Sequence, residues 1–371
     1  MSQPQDVLTV KNLRVNFHTY AGDVKALDGV EFTVRKGEVL GLVGESGSGK
    51  SVTALTIEGL LPQNAEVLSG EVMLDGADLL KLKGSQLMTE RLTGIAMVFQ
   101  DPTTYLNPVL TVGSQITEIL ASAPKLFTKE LISSRLDDLK KMEADKSALS
   151  PELQKEKGQL EALPADAKLS KREFNRLAKY YALDILHQVR LPEPERIFKS
   201  YPFELSGGMK QRAMIAMALA RRPKLLLADE ITTALDVTVQ AQILKLLQLL
   251  KEEIDTSVIL ITHDLAVVAE VCDRVAVMYA GNIVELADVE ELFKNPLHPY
   301  TQGLLASIPR PDATKLELTS IKGSVPNLIS PPTGCRFHPR CPKAFDRCSK
   351  EKPPLVEFSP GHFVECFLYG G

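Results

Sequence analysis

Short alternating runs open the chain. Val7-Leu8-Thr9-Val10 and Leu13-Arg14-Val15-Asn16-Phe17 alternate apolar and polar positions, and Ala26 to Val34 does so again before a turn at Lys36-Gly37. A period of two is that of a half-buried strand. Val39-Leu40-Gly41-Leu42-Val43 is apolar throughout and predicts a strand buried on both faces, as in a parallel sheet. Glycine-rich residues follow, then a helix predicted from about Lys50 to Leu61. Gly70 to Leu80 reads as a further strand pair, and Ile95-Ala96-Met97-Val98-Phe99 as a second buried strand.

Residues 112–200 change character, with helical periodicity and little strand pattern. Within them 137–172 is densely charged, as in Asp138-Leu139-Lys140-Lys141-Met142-Glu143, and reads as a solvated helical hairpin. Strand and helix then alternate again. Leu225–Asp229, Ser257–Thr262 and Arg274–Tyr279 are predicted strands, with helices at Val237–Glu253 and Leu265–Val271. That alternation argues for a parallel sheet covered by helices. Beyond Pro296 proline density rises and predicts a loop-rich appendage.

Composition narrows the partners. Among 371 residues, 44% hydrophobic and 24% charged content is that of a soluble globular chain. A net charge of −4 gives no support for a nucleic-acid or anionic-membrane partner. Met1–Asp6 has neither the basic nor the apolar region of a signal peptide, and no uncharged apolar run is long enough to cross a bilayer. Work at a membrane would therefore be done by docking onto other subunits. Four of five cysteines cluster near the C-terminus (Cys335, Cys341, Cys348, Cys366), which reads as a metal site before a disulfide framework.

Gly44-Glu45-Ser46-Gly47-Ser48-Gly49-Lys50-Ser51 fits G-x-x-x-x-G-K-[ST], after a buried strand and opening a helix. Its backbone N–H groups form an anion nest; Lys50 would reach the β/γ-phosphates and the Ser51 hydroxyl would ligate Mg²⁺. Leu225–Asp229 followed by Glu230 is a strand ending in two carboxylates. Asp229 suits the Mg²⁺ sphere through water, and Glu230 is placed to polarise an attacking water. His263 follows a strand and could bond the γ-phosphate, while the Gln100 amide could contact both Mg²⁺ and the lytic water. Tyr20 could stack on adenine, with Phe17 its rival. Ser206-Gly207-Gly208 opens a helix whose positive end faces a second anion, the glycines letting backbone N–H groups come close. Cys335-x5-Cys341-x6-Cys348-x17-Cys366 supplies four thiolates, a number that suits a cubane cluster or tetrahedral Zn²⁺. The spacings lack the paired C-x2-C of zinc ribbons and favour iron–sulfur. Cys272 reads as core packing.

In order, Gly44–Ser51, Gln100, Leu205–Arg212, Leu225–Glu230, Ala234-Leu235-Asp236 and His263 resemble the nucleotide-binding subunit of an ABC transporter over residues 7–290. The segments Phe99–Pro108, Ala234–Gln242 and His298–Leu305 are similar to the oligopeptide/dipeptide (peptide/nickel) importer branch, which extends the match to nearly the whole chain. The resemblance implies an α/β fold. Its parts are a RecA-like P-loop core, an N-terminal antiparallel β-subdomain, an inserted helical subdomain at about 112–200 with a charged insertion at 137–172, and a cysteine-rich C-terminal extension. The domains implied are 1–290 and 291–371. The activity implied is ATP hydrolysis driving peptide import.

The resemblance also implies a head-to-tail dimer with a second ABC ATPase subunit of different sequence. In it Ser206, Gly207 and Gly208 grip the neighbour's ATP, Asp236 lines the interface, and Gln100 links the site to helices contacting two transmembrane permease subunits. An extracytoplasmic solute-binding protein would be an indirect partner, and the place of work the cytoplasmic face of the membrane. ATPase subunits of this branch often end in four cysteines holding a 4Fe–4S cluster. Alternatives are import of nickel or an oligosaccharide, and a soluble ABC ATPase of DNA repair or translation. Two features depart from the pattern. Ile231 stands where the family usually has proline after the catalytic glutamate, so a turn loses a fixed φ. The charged stretch is longer than the usual helical subdomain.

Overall fold

The alternating N-terminal runs fuse into two long strands, β1 (Asp6–Thr19) and β2 (Gly22–Arg35), paired antiparallel as a hairpin. The two short runs expected in β1 are one strand interrupted between Val10 and Leu13, where the register shifts and Asn12 takes φ 43°. A bulge there breaks the period of two without ending the strand. In the computed structural model, residues 5–146, 149–164, 167–233, 236–254, 256–307 and 321–370 are described. Two compact units result, one of residues 1–97, 224–233 and 247–371, the other of residues 98–223 and 234–246.

The first unit holds both sheets. After β3 (Val39–Val43), strand β4 (Ala65–Leu74) pairs antiparallel with β1, and β5 (Ala77–Asp78) completes the order β2-β1-β4-β5. The remaining strands are β6 (Ile95–Val98), β7 (Leu225–Asp229), β8 (Ser257–Thr262), β9 (Arg274–Tyr279), β10 (Asn282–Asp288), β11 (Leu355–Ser359) and β12 (His362–Glu365). With β3 they form an eight-stranded sheet ordered β11-β12-β10-β9-β3-β8-β7-β6. Strands β9, β3, β8 and β7 run parallel. Every residue of β3, β8 and β9 is buried, as the continuous apolar run of β3 required and the apolar interiors of β8 and β9 allowed. Leu13, Leu27, Leu40, Leu42, Ile57 and Leu74 are fully buried in a core shared by both sheets and the helix Lys50–Glu58. Each such side chain contributes about 1.5–3 kcal/mol.

Gly41 matters to this packing. A Cβ there would lie 3.0 Å from the Cys272 sulfur and 3.2 Å from Val268, so glycine lets the helix Leu265–Val271 close on β3. Cys272 is buried, in keeping with a packing role.

The proline-rich C-terminal residues depart from the loop-rich expectation. The hairpin β11–β12 pairs antiparallel with β10 and so extends the central sheet. Strands of five and four residues are too short to show a period among prolines.

The second unit is helical. It contains Val112–Ser122, Pro124–Lys146, Pro151–Glu161, Lys171–Gln188, Pro194–Lys199, Gly207–Leu219 and the first half of Val237–Ile254. The charged stretch is tied by ion pairs rather than merely solvated. Arg135, with 5% of its side chain exposed, bonds Asp138 at 2.5 Å and Glu156 at 3.2 Å, and Lys157 bonds Glu143 at 2.6 Å. A Ser170–Glu173 capping box starts the long helix Lys171–Gln188. Among the described residues no helix is long and apolar enough to cross a membrane.

Candidate functional site

Parallel pairing gathers the predicted groups at one edge of the sheet. Val43 lies beside Thr262 and Asp229 beside Ile261, so the turns after β3, β7 and β8 leave from the same carboxyl edge. Ligands of open α/β sheets sit at such edges. The loop 44–51 turns tightly there. A Cβ on Gly44 would lie 2.2 Å from the Met278 carbonyl oxygen, so only glycine fits. Ser46 and Gly47 are exposed at the rim, whereas Ser48, Gly49 and Lys50 are buried.

Lys50 Nζ donates to the carbonyl oxygens of Gly44 at 2.8 Å and Glu45 at 3.1 Å. Burial pulls this ammonium below its ordinary pKa, against the charges of Glu230, Asp229 and Glu45. The Ser51 hydroxyl donates to Asp229 Oδ1 at 3.4 Å. Burial raises the Asp229 pKa and the nearby Glu230 adds to it, while the Ser51 hydrogen bond and the Lys50 charge oppose the rise. A half-buried carboxylate beside a hydroxyl offers the oxygen donors that suit a hard divalent cation.

Glu230 occupies the turn after β7 with φ 48°, its N–H donating to Ile261 O at 2.9 Å and its carbonyl accepting from Thr233 N–H at 3.0 Å. Its Oε1 is 3.4 Å from His263 Nδ1, and the Thr233 hydroxyl donates to Oε2 at 3.4 Å. One basic lysine, one hydroxyl, two carboxylates and an imidazole thus share one sheet edge. That set can neutralise a triphosphate, hold a divalent cation and orient water.

Tyr20 sits fully exposed at the tip of the β1–β2 turn, whereas Phe17 packs against the core. The remaining predicted residues lie in the helical unit. Gln100 is exposed just after β6. Ser206 caps the helix Gly207–Leu219, accepting from Met209 N–H at 3.4 Å. Around Gly207 a Cβ would meet open space, but on Gly208 it would lie 2.6 Å from Val239. The second glycine therefore serves helix packing as well as any anion. Asp236 is exposed and caps the helix Val237–Ile254, accepting from Val239 N–H at 2.9 Å. Ala234 and Leu235 lie outside the described residues.

Cys335, Cys341, Cys348 and Cys366 line one small cavity together with His298, Phe337 and His338. All four are free thiols, and among the described residues no three His, Cys, Asp or Glu side chains stand close enough to hold a metal ion. Burial pushes the Cys335 thiol up to about 12 and raises Cys341 and Cys366 too. Four soft donors in one pocket fit a cluster in number and chemistry, although the thiols are not drawn together into coordination.

The residue-by-residue reading missed Arg340 and Tyr300. Arg340 grips both carboxylate oxygens of Glu45 at 2.9 and 3.1 Å, and the Tyr300 hydroxyl accepts the Glu45 N–H at 2.9 Å. Tyr300 stands in a segment already singled out; nothing local marks Arg340.

Known proteins resemble this chain over nearly its whole length. The family model "ABC transporter" matches residues 27–233, and "Oligopeptide/dipeptide transporter, C-terminal region" matches 284–348. The oligopeptide transport ATP-binding protein AppD of Bacillus subtilis is 44% identical over 364 residues, covering 98% of this chain and 97% of its own. OppD of Escherichia coli is 44% identical (98% and 94% covered), and the dipeptide transport ATP-binding protein DppD of Lactococcus lactis is 45% identical (98% and 91%). Among solved structures, a dimeric ATP-binding cassette in a post-hydrolysis state with ADP and Pi superposes with TM-score 0.56 at 26% identity, covering 76% of this chain and 98% of that one.

Proposed function

The chain belongs to the ABC transporter family of ATP-binding subunits, in its oligopeptide/dipeptide branch, and from its site we propose how it hydrolyses ATP to energise peptide import. The observation that carries the assignment is the meeting of Lys50, Ser51, Asp229, Glu230 and His263 at one sheet edge, behind a loop where Gly44 admits no side chain.

In this reading the loop N–H groups of Ser46, Gly47, Ser48 and Gly49 cradle the phosphates, and Lys50 offsets charge on the β/γ oxygens. Tyr20 stacks on adenine. Ser51, Asp229 through water and Gln100 would hold Mg²⁺, which would supply further neutralisation of the phosphate oxygens. Glu230 accepts a proton from the attacking water, which comes in line with the leaving oxygen. His263 bonds the γ-phosphate and, 3.4 Å from Glu230, limits the positions that carboxylate can adopt. Nucleotide-driven closing and opening is a ligand-biased two-state change that can be passed to a membrane partner.

The assembly is proposed to be a head-to-tail dimer with a second, different ATPase subunit. Ser206, Gly207, Gly208 and Asp236 then complete the neighbour's site. Support comes from the exposed N-terminus of the helix Gly207–Leu219 and from the dimeric cassette described above. Two permease subunits, an indirectly engaged solute-binding protein and work at the cytoplasmic face complete the proposal. So does the division into residues 1–290 and 291–371. Cys335, Cys341, Cys348 and Cys366 would hold a 4Fe–4S cluster, with Zn²⁺ the alternative occupant; the shared cavity supports this.

ATP turnover of the assembled importer tests the catalytic assignment. Glu230→Gln removes the proton acceptor at constant shape and is expected to slow hydrolysis about 10²–10⁴-fold. An unchanged rate would overturn the role given to Glu230.

A further inference from the structure

The second residue of the phosphate loop is an acid. Glu45 stands between Gly44 and Ser46, where a carboxylate faces an approaching polyanion unfavourably. The structure pairs it with a cation from 295 residues further along the chain. Arg340, with only 7% of its side chain exposed, bonds both Glu45 oxygens at 2.9 and 3.1 Å. Its other donors reach Lys322 O at 3.0 Å and the Tyr279 hydroxyl at 3.4 Å. A two-pronged guanidinium contact fixes geometry as well as charge.

The backbone of Glu45 is held as well. Its N–H donates to the Tyr300 hydroxyl at 2.9 Å, and its carbonyl accepts from Lys50 Nζ at 3.1 Å and Ser48 N–H at 3.2 Å. Tyr300 is fully buried among Tyr279 and Phe337, with ring centroids 4.7 and 5.4 Å away. The Arg340 N–H closes a turn onto Phe337 O at 2.9 Å, so one aromatic cluster sets both contacts. The C-terminal region therefore reaches the loop at three atoms of one residue.

We propose that Arg340 is a positioning residue for ATP, cancelling the Glu45 charge beside the triphosphate and, with Tyr300, fixing the first turn of the phosphate loop. The inference rests on reading 44–51 as the ATP site. It assigns Tyr300 and Arg340 of the C-terminal region a part in nucleotide affinity, besides any metal binding by the cysteines.

The test is the split between KM for ATP and kcat in the assembled importer. Arg340→Ala leaves the Glu45 carboxylate uncompensated and is expected to raise KM on the order of fivefold, with kcat within about twofold. Arg340→Lys keeps the charge and should hold KM well below that of Arg340→Ala. Adding Glu45→Gln to Arg340→Ala removes the stranded charge and should bring KM back toward wild type. An unchanged KM in Arg340→Ala overturns the proposal. So does an equal rise in Arg340→Lys, or in the double variant, since either would mean that Arg340 acts only through packing. Lys50→Ala separates the two levels of argument. If it leaves ATP affinity intact, the loop assignment fails; if it abolishes affinity while Arg340→Ala changes nothing, only the present proposal fails.

Discussion

Acidification provides a sharp test of how the C-terminal region is built. His298 is 1% exposed, and its Nδ1 accepts the Tyr300 N–H at 3.0 Å, capping the helix Pro299–Ala306. That bond needs an unprotonated nitrogen. Burial, opposed by the charge of Glu285, lowers the His298 pKa from 6.5 to about 4. A folded-state pKa below the unfolded one means that the fold favours the neutral ring. Its contribution is present in full above pH 6.5 and is lost as pH falls toward 4. At about 1.36 kcal/mol per unit, the part lost between pH 7.5 and 4.5 is about 2.5 kcal/mol. Denaturant unfolding of the full chain at both pH values, for wild type and His298→Asn, reads this directly. Asparagine keeps an oxygen at the place of Nδ1 to accept the Tyr300 N–H and does not titrate. The acid-induced loss should be smaller in His298→Asn by about 2.5 kcal/mol, the carboxylates contributing equally to both. Equal losses would refute the argument, because the buried ring would then carry no titration penalty.

Two further substitutions bear on the site and its neighbour. Gly44→Ala places a methyl 2.2 Å from the Met278 carbonyl and should abolish ATP binding or cost more than about 2 kcal/mol of stability, read by nucleotide fluorescence and thermal melting. Wild-type affinity and melting together would mean that the loop relaxes freely. Cys348→Ser should lower iron and sulfide content after anaerobic purification, measured chemically beside wild type. Stoichiometric zinc and no sulfide in the wild type would identify Zn²⁺ as the occupant instead.

Much of the fold was legible because its strands are buried on both faces. β3 is an apolar run and β8 and β9 are apolar in their interiors, all with no solvent side, and the boundaries expected for Ser257–Thr262 and Arg274–Tyr279 are those observed. The phosphate loop was equally legible, since its chemistry lies within eight consecutive residues. What escaped depends on contacts distant in sequence. β12 is a strand because β10 offers it an edge, and four residues carry no period of their own. Glu45 and Arg340 have no shared motif; only the folded chain makes them partners. The charge-rich helices read as solvated because a sequence pattern does not reveal that Arg135 finds Asp138 and Glu156 and can be buried. Gly208 was read only for the approach of an anion, whereas Val239 packs where its Cβ would be, a contact that no local pattern announces.

Ile231 shows how local rules and tertiary contacts trade at the site. A proline after Glu230 would lend the turn rigidity through a fixed φ, a gain of about 0.4–1 kcal/mol in chain entropy. It would also press the preceding residue toward extended conformations, away from the φ of 48° that Glu230 adopts. With isoleucine the backbone is free to take that conformation, and other contacts hold it. Glu230 N–H bonds Ile261 O, Thr233 N–H bonds Glu230 O, and the Ile231 side chain is 1% exposed. Burying that side chain contributes about 1.5–3 kcal/mol, more than the entropy a proline ring would supply. The loosened turn expected from the missing proline is therefore not required by the structure. A left-handed glutamate at the end of β7 is strained, and strain of this kind persists where surrounding contacts over-determine the backbone. Here one of those contacts comes from β8, the strand that His263 follows, so a single pair of parallel strands sets both Glu230 and the imidazole beside it.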